Sequence, residues 1–307
     1  MKLVFFGTGS FAVPALRALS ANVVLAVAQP DRRSGRGLTM QASPVKQVAT
    51  ELGIPVLTPE KSRSPEFVQV LQELEADAMV VASYGQILSQ AVLDATLRGG
   101  INLHGSILPK YRGAAPIQRA ILNREPETGV TLMQMAKGMD TGDIIAIRKT
   151  PIGDDETYGE LQERLAIVAA ELAAEWMPRI VAGEYNRVPQ VEEDATYAPK
   201  VEKQEAQLSF ERTAVEEYVR FRAFTPSPGA TLVTKYGLMR ISRALLSSPG
   251  TGSAPGTVLT TSPNLSVSFV SGAVELIEIQ LEGKKRTSGR ELSNGLRLKP
   301  GDNLKHT

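Results

Sequence analysis

Hydrophobic and polar positions along the chain follow two rhythms. Over the first two thirds, short apolar runs at 3–6, 23–28, 78–82 and 101–103 alternate with segments whose apolar residues recur at helical spacing. Phe11, Ala15, Leu16 and Leu19 mark one helical face, with Pro14 early enough to sit in a first turn. Residues 45–52 and the set Phe67, Val70, Leu71 and Leu74 mark two more. Fully apolar runs predict strands covered on both sides, and their alternation with helices predicts an α/β fold. The expected core is a Rossmann-like, mostly parallel sheet with helices on both faces. A helix at 117–122, a strand pair at 130–135 and 144–147 around a turn at 138–142, and a long helix complete this part. The stripe of that helix, Leu161, Leu165, Val168, Leu172 and Trp176, reads as core packing rather than as a cofactor box.

Periodicity then fades into a polar stretch carrying Pro189 and Pro199. Beyond it, one helix at 214–224 is followed by short β-rich runs at 230–233, 239–246, 257–259, 265–269 and 274–281. Turn clusters separate them, the longest at 247–256. Several short strands punctuated by Gly, Pro and Ser predict a small OB-like β-barrel. The expected organisation is a Rossmann-like domain over 1–189, a linker over 190–205 and a C-terminal β-barrel domain over 206–307.

Composition narrows the chemistry. The 307 residues include no cysteine, which removes disulfides, Cys-ligated zinc, iron–sulfur clusters and a thiol nucleophile. There are two histidines, His104 and the penultimate His306, so a multi-histidine metal site is disfavoured and no metal is expected. Net charge is +1, yet the excess is uneven: residues 1–204 sum to −3 and residues 205–307 to +4. A basic C-terminal part fits an anionic partner or a plain solvated surface equally well. No run approaches the roughly 18 apolar residues of a membrane span. The apolar opening is broken at Gly7-Thr8-Gly9-Ser10, so no signal peptide is read and a cytoplasmic chain without membrane attachment is expected, as a monomer.

Three motifs carry chemistry. Gly7-x-Gly9-x-x-Ala12, after a strand and before a helix, has the form of a dinucleotide-binding turn. The acidic residue that would support it, Asp31, is crowded by Arg32, Arg33 and Arg36, and a purely structural turn is the better reading. The second motif is Asn102-Leu103-His104-Gly105-Ser106-Ile107-Leu108-Pro109. Asn102 and His104 alternate about Leu103, so on a strand end both point to one face. A carboxamide and an imidazole there can hold the oxygen of a developing tetrahedral anion. A histidine satisfied within a turn is the bland alternative. The third is the glycine-flanked turn Gly138-Met139-Asp140-Thr141-Gly142-Asp143, where Asp140 either orients the imidazole and relays protons or simply serves the turn. A Ser-His-Asp triad does not hold, because Ser106 lacks a nucleophile-elbow setting.

Together these residues resemble the folate-dependent formyltransferases. Asn102, His104 and Asp140 match that family's catalytic set. Ser106-Ile107-Leu108-Pro109 matches its folate-binding loop, with Ile107 in place of Leu. The continuation Lys110-Tyr111-Arg112-Gly113-Ala114-Ala115-Pro116-Ile117-Gln118 is similar to the branch acting on methionyl-tRNA. So are Gln29-Pro30-Asp31-Arg32 with Gly35-Arg36-Gly37 and the stretch from Gly129 to Asp143. Gly9 departs from a proline common in the family. The resemblance implies formyl transfer from 10-formyltetrahydrofolate to the α-amine of methionine on initiator methionyl-tRNA, for translation initiation. It also ties the inserted loop with Arg32, Arg33 and Arg36 to the acceptor end of the tRNA. Positive charge on a small β-barrel makes Lys284, Lys285, Arg286 and Arg290 candidates for phosphate contacts, with a solvated surface as the bland alternative for each. Three other readings stay open: a formyltransferase for a small amine, an NAD-dependent oxidoreductase built on the glycine turn, and a noncatalytic RNA-binding protein.

Overall fold

The first apolar run becomes β1 (Leu3–Gly7), all five residues of which are buried. In the computed structural model, which describes residues 1–34, 39–247 and 252–305, the chain forms two units. The first comprises Met1–Pro116, Glu127–Pro151 and Gln162–Pro199. Its elements after β1 are α1 (Val13–Leu19), β2 (Val23–Val27), β3 (Arg32–Ser34), β4 (Thr39–Gln41), α2 (Pro44–Glu51) and β5 (Val56–Leu57). Then come α3 (Pro65–Glu73), β6 (Ala78–Ala82), α4 (Gln90–Leu93) and β7 (Gly100–His104). The helix α5 (Pro116–Leu122) leads to β8 (Glu127–Gln134), β9 (Ile144–Pro151) and α6 (Tyr158–Ala182).

The sheet order is β5-β2-β1-β6-β7-β8-β9. β5, β2, β1, β6 and β7 pair in parallel, and β8 and β9 close the edge in antiparallel. Alternation along β1 shows both faces covered. Val4 and Phe6 join Phe67 and Leu71 of α3 in one core cluster, while Leu3 and Phe5, on the opposite face, are equally buried. Helices start where serine precedes proline: the Ser43 and Ser64 hydroxyls accept from Lys46 N and Phe67 N, and the following proline occupies the first turn. The glycine turn after β1 is a packing device. A Cβ on Gly7 would lie 2.9 Å from the Cβ of Ala12, so the residues that suggested a nucleotide turn set how closely the turn approaches the helix.

The second unit comprises Ile117–Pro126, Ile152–Leu161 and Lys200–Thr307. It holds β10 (Gln207–Leu208), α7 (Ala214–Phe224), β11 (Thr231–Thr234), β12 (Gly237–Ser247), β13 (Val258–Thr260) and β14 (Leu265–Ser268). β15 (Ala273–Leu281), β16 (Thr287–Ser288) and α8 (Gly289–Leu296) follow. The sheet order is β10-β11-β12-β15-β14-β13, with β16 on β15. Tyr218 and Phe221 of α7 and Leu292 of α8 share its core with Met239, Ile241, Leu276 and Ile279.

The unit boundaries differ from a linear division at a linker. Segments 117–126 and 152–161, expected in the first domain, count with the second unit. Polar bonds, one buried and the others part-buried, tie them there. Gln118 Nε2 donates to Ala223 O and Ser227 O, Arg222 donates to Gly153 O and Glu156 O, and Tyr218 OH donates to Asp155 at 2.8 Å. Conversely, residues 190–199 of the expected linker belong to the first unit. The stretch is polar because it works through hydrogen bonds rather than apolar burial. Several elements were too short or too glycine-rich to show periodicity, among them β3, β4, β5, α4 and α8. Ser288 and Glu291 do announce α8 as a reciprocal capping box.

Candidate functional site

β7 ends at the edge of the parallel part of the sheet, where such folds present ligand-binding groups. Asn102 and His104 lie two residues apart on it and therefore share a face. His104 is only 6% exposed. Its Nε2 lies 2.9 Å from Tyr111 O. A carbonyl can only accept, so Nε2 carries the hydrogen of that bond and Nδ1 faces the carboxylate of Asp140 at 3.6 Å.

Asp140 comes from the turn between β8 and β9 and adopts φ +53°, a left-handed conformation that costs on the order of 1 kcal/mol for a non-glycine residue. The turn closes because Gly142 has no side chain: a Cβ there would run into the carbonyl oxygen of Gln134. From this position Oδ2 accepts from Gly113 N at 2.8 Å and Oδ1 from Asn102 Nδ2 at 3.4 Å. One carboxylate thus ties together the end of β7, the loop after it and its own turn. The side chain of Asp140 keeps 19% of its surface open. A carboxamide, an imidazole and a partly accessible carboxylate can bind a carbonyl oxygen, stabilise charge on it and move a proton. His104 is satisfied within its own loop through Tyr111 O, while its other nitrogen faces Asp140 from a separate turn.

The loop 106–109 is built from inside and outside positions. Ser106 is fully buried and donates its hydroxyl to Lys110 O at 2.7 Å. Leu108 is 2% exposed, and its N donates to Thr131 Oγ1, which in turn donates to Ser106 O. Ile107 and Pro109 are half-buried and reach the surface. Of the four residues expected to meet folate, two therefore shape the loop and two present it.

Behind that loop lies a support that no spacing along the chain suggested. Arg112 N donates to Thr196 O at 2.8 Å, Ala198 N to Arg112 O at 2.7 Å, and Tyr111 N to Thr196 Oγ1 at 2.9 Å. The segment expected as a linker is laid along the loop that follows β7 like an added strand.

A concavity of about 450 Å³ opens at the ends of β1, β2 and β6, lined by Gly9, Gln29, Arg32, Ser43, Tyr84 and Gly85 among others. Gln29 is 8% exposed, its Oε1 accepts from Arg32 at 3.3 Å, and its Nε2 lacks a partner among the described residues. This places Arg32 at a donor-rich cavity. Arg33 contributes backbone to β3 and its side chain lies outside the described residues, as does Arg36 altogether. In the second unit Lys284, Lys285, Arg286 and Arg290 are exposed, the last on α8, and Arg286 pairs with Glu278 at 3.4 Å. Among the described residues no helix is long and apolar enough to cross a membrane.

The fold and this constellation define a class. Residues 1–181 match the family described as Formyl transferase, and residues 200–297 match Formyl transferase, C-terminal domain. The chain belongs to the formyl transferase family. It is 44% identical over 306 residues to the Methionyl-tRNA formyltransferase of Sorangium cellulosum (strain So ce56), with 98% of each chain covered. It is 42% identical over 303 residues to that of Myxococcus xanthus (strain DK1622), covering 98% of this chain and 96% of the relative. Among solved structures, the N-formyltransferase from Helicobacter canadensis, in complex with folinic acid and dTDP-3-aminofucose, shares the fold. Its TM-score is 0.63 at 21% identity, covering 90% of this chain and 98% of that one.

Proposed function

We propose that this chain transfers a formyl group from 10-formyltetrahydrofolate to the α-amino group of methionine on initiator methionyl-tRNA. The observation that carries the reading is the convergence of Asn102, His104 and Asp140 on one face at the end of β7. Their chemistry fits a formyl donor: the folate cosubstrate supplies an activated one-carbon carbonyl, and the chain supplies donors for its oxygen. Asn102 donates to the oxygen that turns negative as the amine attacks, and the His104 ring lies beside it, its Nε2–H leaving Tyr111 O for the developing charge. Asp140 keeps the imidazole oriented and, being partly open to solvent, passes protons through water between the attacking and leaving nitrogens. Ile107 and Pro109 offer the exposed side of the loop to the cosubstrate. No step calls for a metal.

Arg32 and the donor-rich cavity beside it support entry of the acceptor end of the tRNA on the first unit, with Arg33 and Arg36, close by in sequence, proposed to add phosphate contacts. Lys284, Lys285, Arg286 and Arg290 supply positive charge for phosphates on the second unit, proposed here as the tRNA-binding domain. The similarity to methionyl-tRNA formyltransferases over nearly the full chain favours this acceptor over a small amine.

The test is formyl transfer from 10-formyltetrahydrofolate to methionyl initiator tRNA, with elongator methionyl-tRNA as control. Transfer to the initiator form with strong discrimination supports the reading, and transfer only to small amines refutes it. Replacing Lys284 and Lys285 by alanine should lower the slope of log affinity for tRNA against log salt by about one for each phosphate that a lysine had neutralised. An unchanged slope removes these two residues from the interface.

A further inference from the structure

We infer that Gln190 is a positioning residue for Asp140, acting through the main chain of the 138–142 turn and itself set by the buried Arg112. The side-chain amide of Gln190 reaches two carbonyls of that turn at once. Its Nε2 donates to Asp140 O at 2.8 Å and to Gly142 O at 2.7 Å. An amide nitrogen has two hydrogens, so both are used on the two peptide oxygens that flank Thr141. At its other end, Gln190 Oε1 accepts from Arg112 Nε at 3.0 Å.

Arg112 is 1% exposed, an environment in which a guanidinium persists only when its donors are met. Those on Nε and NH1 are: Nε donates to Gln190, and NH1 to both carboxylate oxygens of Glu192 at 3.0 and 2.8 Å. A cationic donor on Oε1 polarises the amide and strengthens the N–H donors at its far end. The chain Glu192–Arg112–Gln190–turn thus runs from a surface carboxylate to the backbone of the residue whose carboxylate lies 3.6 Å from the His104 ring. Asp140 occupies a left-handed conformation at φ +53°, and its neighbour Thr141 donates its hydroxyl to Lys137 O over a long 3.4 Å. Gln190 is what pins the main chain from which the carboxylate projects.

The inference rests on the proposed role of Asp140 in formyl transfer, so its test includes a readout independent of that reaction. The chain has two histidines, and His306→Ala leaves His104 as the one imidazole signal in an NMR spectrum of the full chain. In this background Gln190→Glu keeps the length and the Arg112 bond but removes the two donors, and Gln190→Ala removes everything. Both variants should move the His104 ring signals part of the way toward those of Asp140→Asn, with the melting temperature showing a folded protein. A His104 signal that stays at its wild-type position in the folded Gln190→Glu protein overturns the proposal.

In kinetics the same variants should lower kcat roughly 10- to 100-fold, the order expected from a displacement of a catalytic group by about 1 Å, and leave KM for the formyl donor within about twofold. In an Asp140→Ala background the substitution at Gln190 should cost less than about twofold. A full additional loss there marks a merely structural residue and overturns the proposal. Coupled NMR signals in a protein that formylates no methionyl-tRNA leave the positioning role standing and defeat the proposed function instead.

Discussion

Asp140 and Glu217 are acidic side chains drawn into their respective units, and they are held in opposite ways. Glu217, on α7, is fully buried and faces Arg212 at 2.9 Å and Arg220 at 3.6 Å. Burial pushes its carboxyl above the ordinary range, against the pull of the Arg212 bond and of both guanidinium charges. Its partners are cations close by on the same helix and the turn before it, so it is a structural ion cluster. Asp140 is held by other means. Its oxygens accept from a backbone N–H and a carboxamide, it adjoins an imidazole, and part of its surface stays open. A carboxylate that ends in fixed cations has nothing left to do. One held by neutral donors beside an imidazole, in a strained turn, can still exchange a proton.

The largest effect that tests this contrast is catalytic. Asn102→Ala and His104→Ala should each lower formyl transfer by roughly 10²- to 10³-fold, the range for losing one oxyanion donor, with a melting temperature near that of the wild type. Steady-state kinetics and calorimetry on the same samples check both halves, and near-normal transfer by a folded His104→Ala protein ends the assignment.

Glu217→Ala should show the reverse pattern. It leaves two partly exposed arginines without their carboxylate, and a loss of about 1–3 kcal/mol in stability is expected from denaturant titration. Transfer per folded molecule should stay within about twofold. A large kcat defect without destabilisation would erase the distinction between the two acids.

The smallest effect concerns pH. Bonds from Thr287 and from the Ser288 backbone and hydroxyl hold the Glu291 carboxyl at about 2, down from 4.5. A lowered folded-state value means stabilisation that is full above the unfolded value and is lost as pH falls through the folded one. Glu291→Gln should therefore melt slightly lower than wild type at neutral pH, and the gap should close between pH 4.5 and about 2. A gap that persists unchanged at the acid end argues that the bonds of the neutral amide, not the charge, differ.

Much of the first unit was legible because burial leaves a periodic trace. The runs at 3–6, 23–28 and 78–82 became the central strands β1, β2 and β6, and Asn102 and His104 sat where alternation put them. Asp140 was visible for another reason: flanking glycines advertise a constrained turn. The support shell was not visible. Gln190, Glu192 and Thr196 lie in a polar stretch without periodicity, and their partners Arg112 and Tyr111 are about 80 residues away. The unit boundaries were hidden for a similar reason. Gln118 and Arg222 are polar residues that a pattern of apolar spacing assigns to the surface, yet both are buried and bind segments distant in sequence.

The sequence by itself determined the alternation of strands and helices, the face shared by Asn102 and His104, and the family to which those residues point. Those properties depend on local periodicity and on residue types that few arrangements tolerate. Only the tertiary structure decided that a polar stretch is a brace rather than a tether, and that Ser106 shapes its loop from within. Only there does one carboxylate gather three segments. Hydrogen bonds between distant residues depend on where the backbone returns, and no pattern along the chain records that.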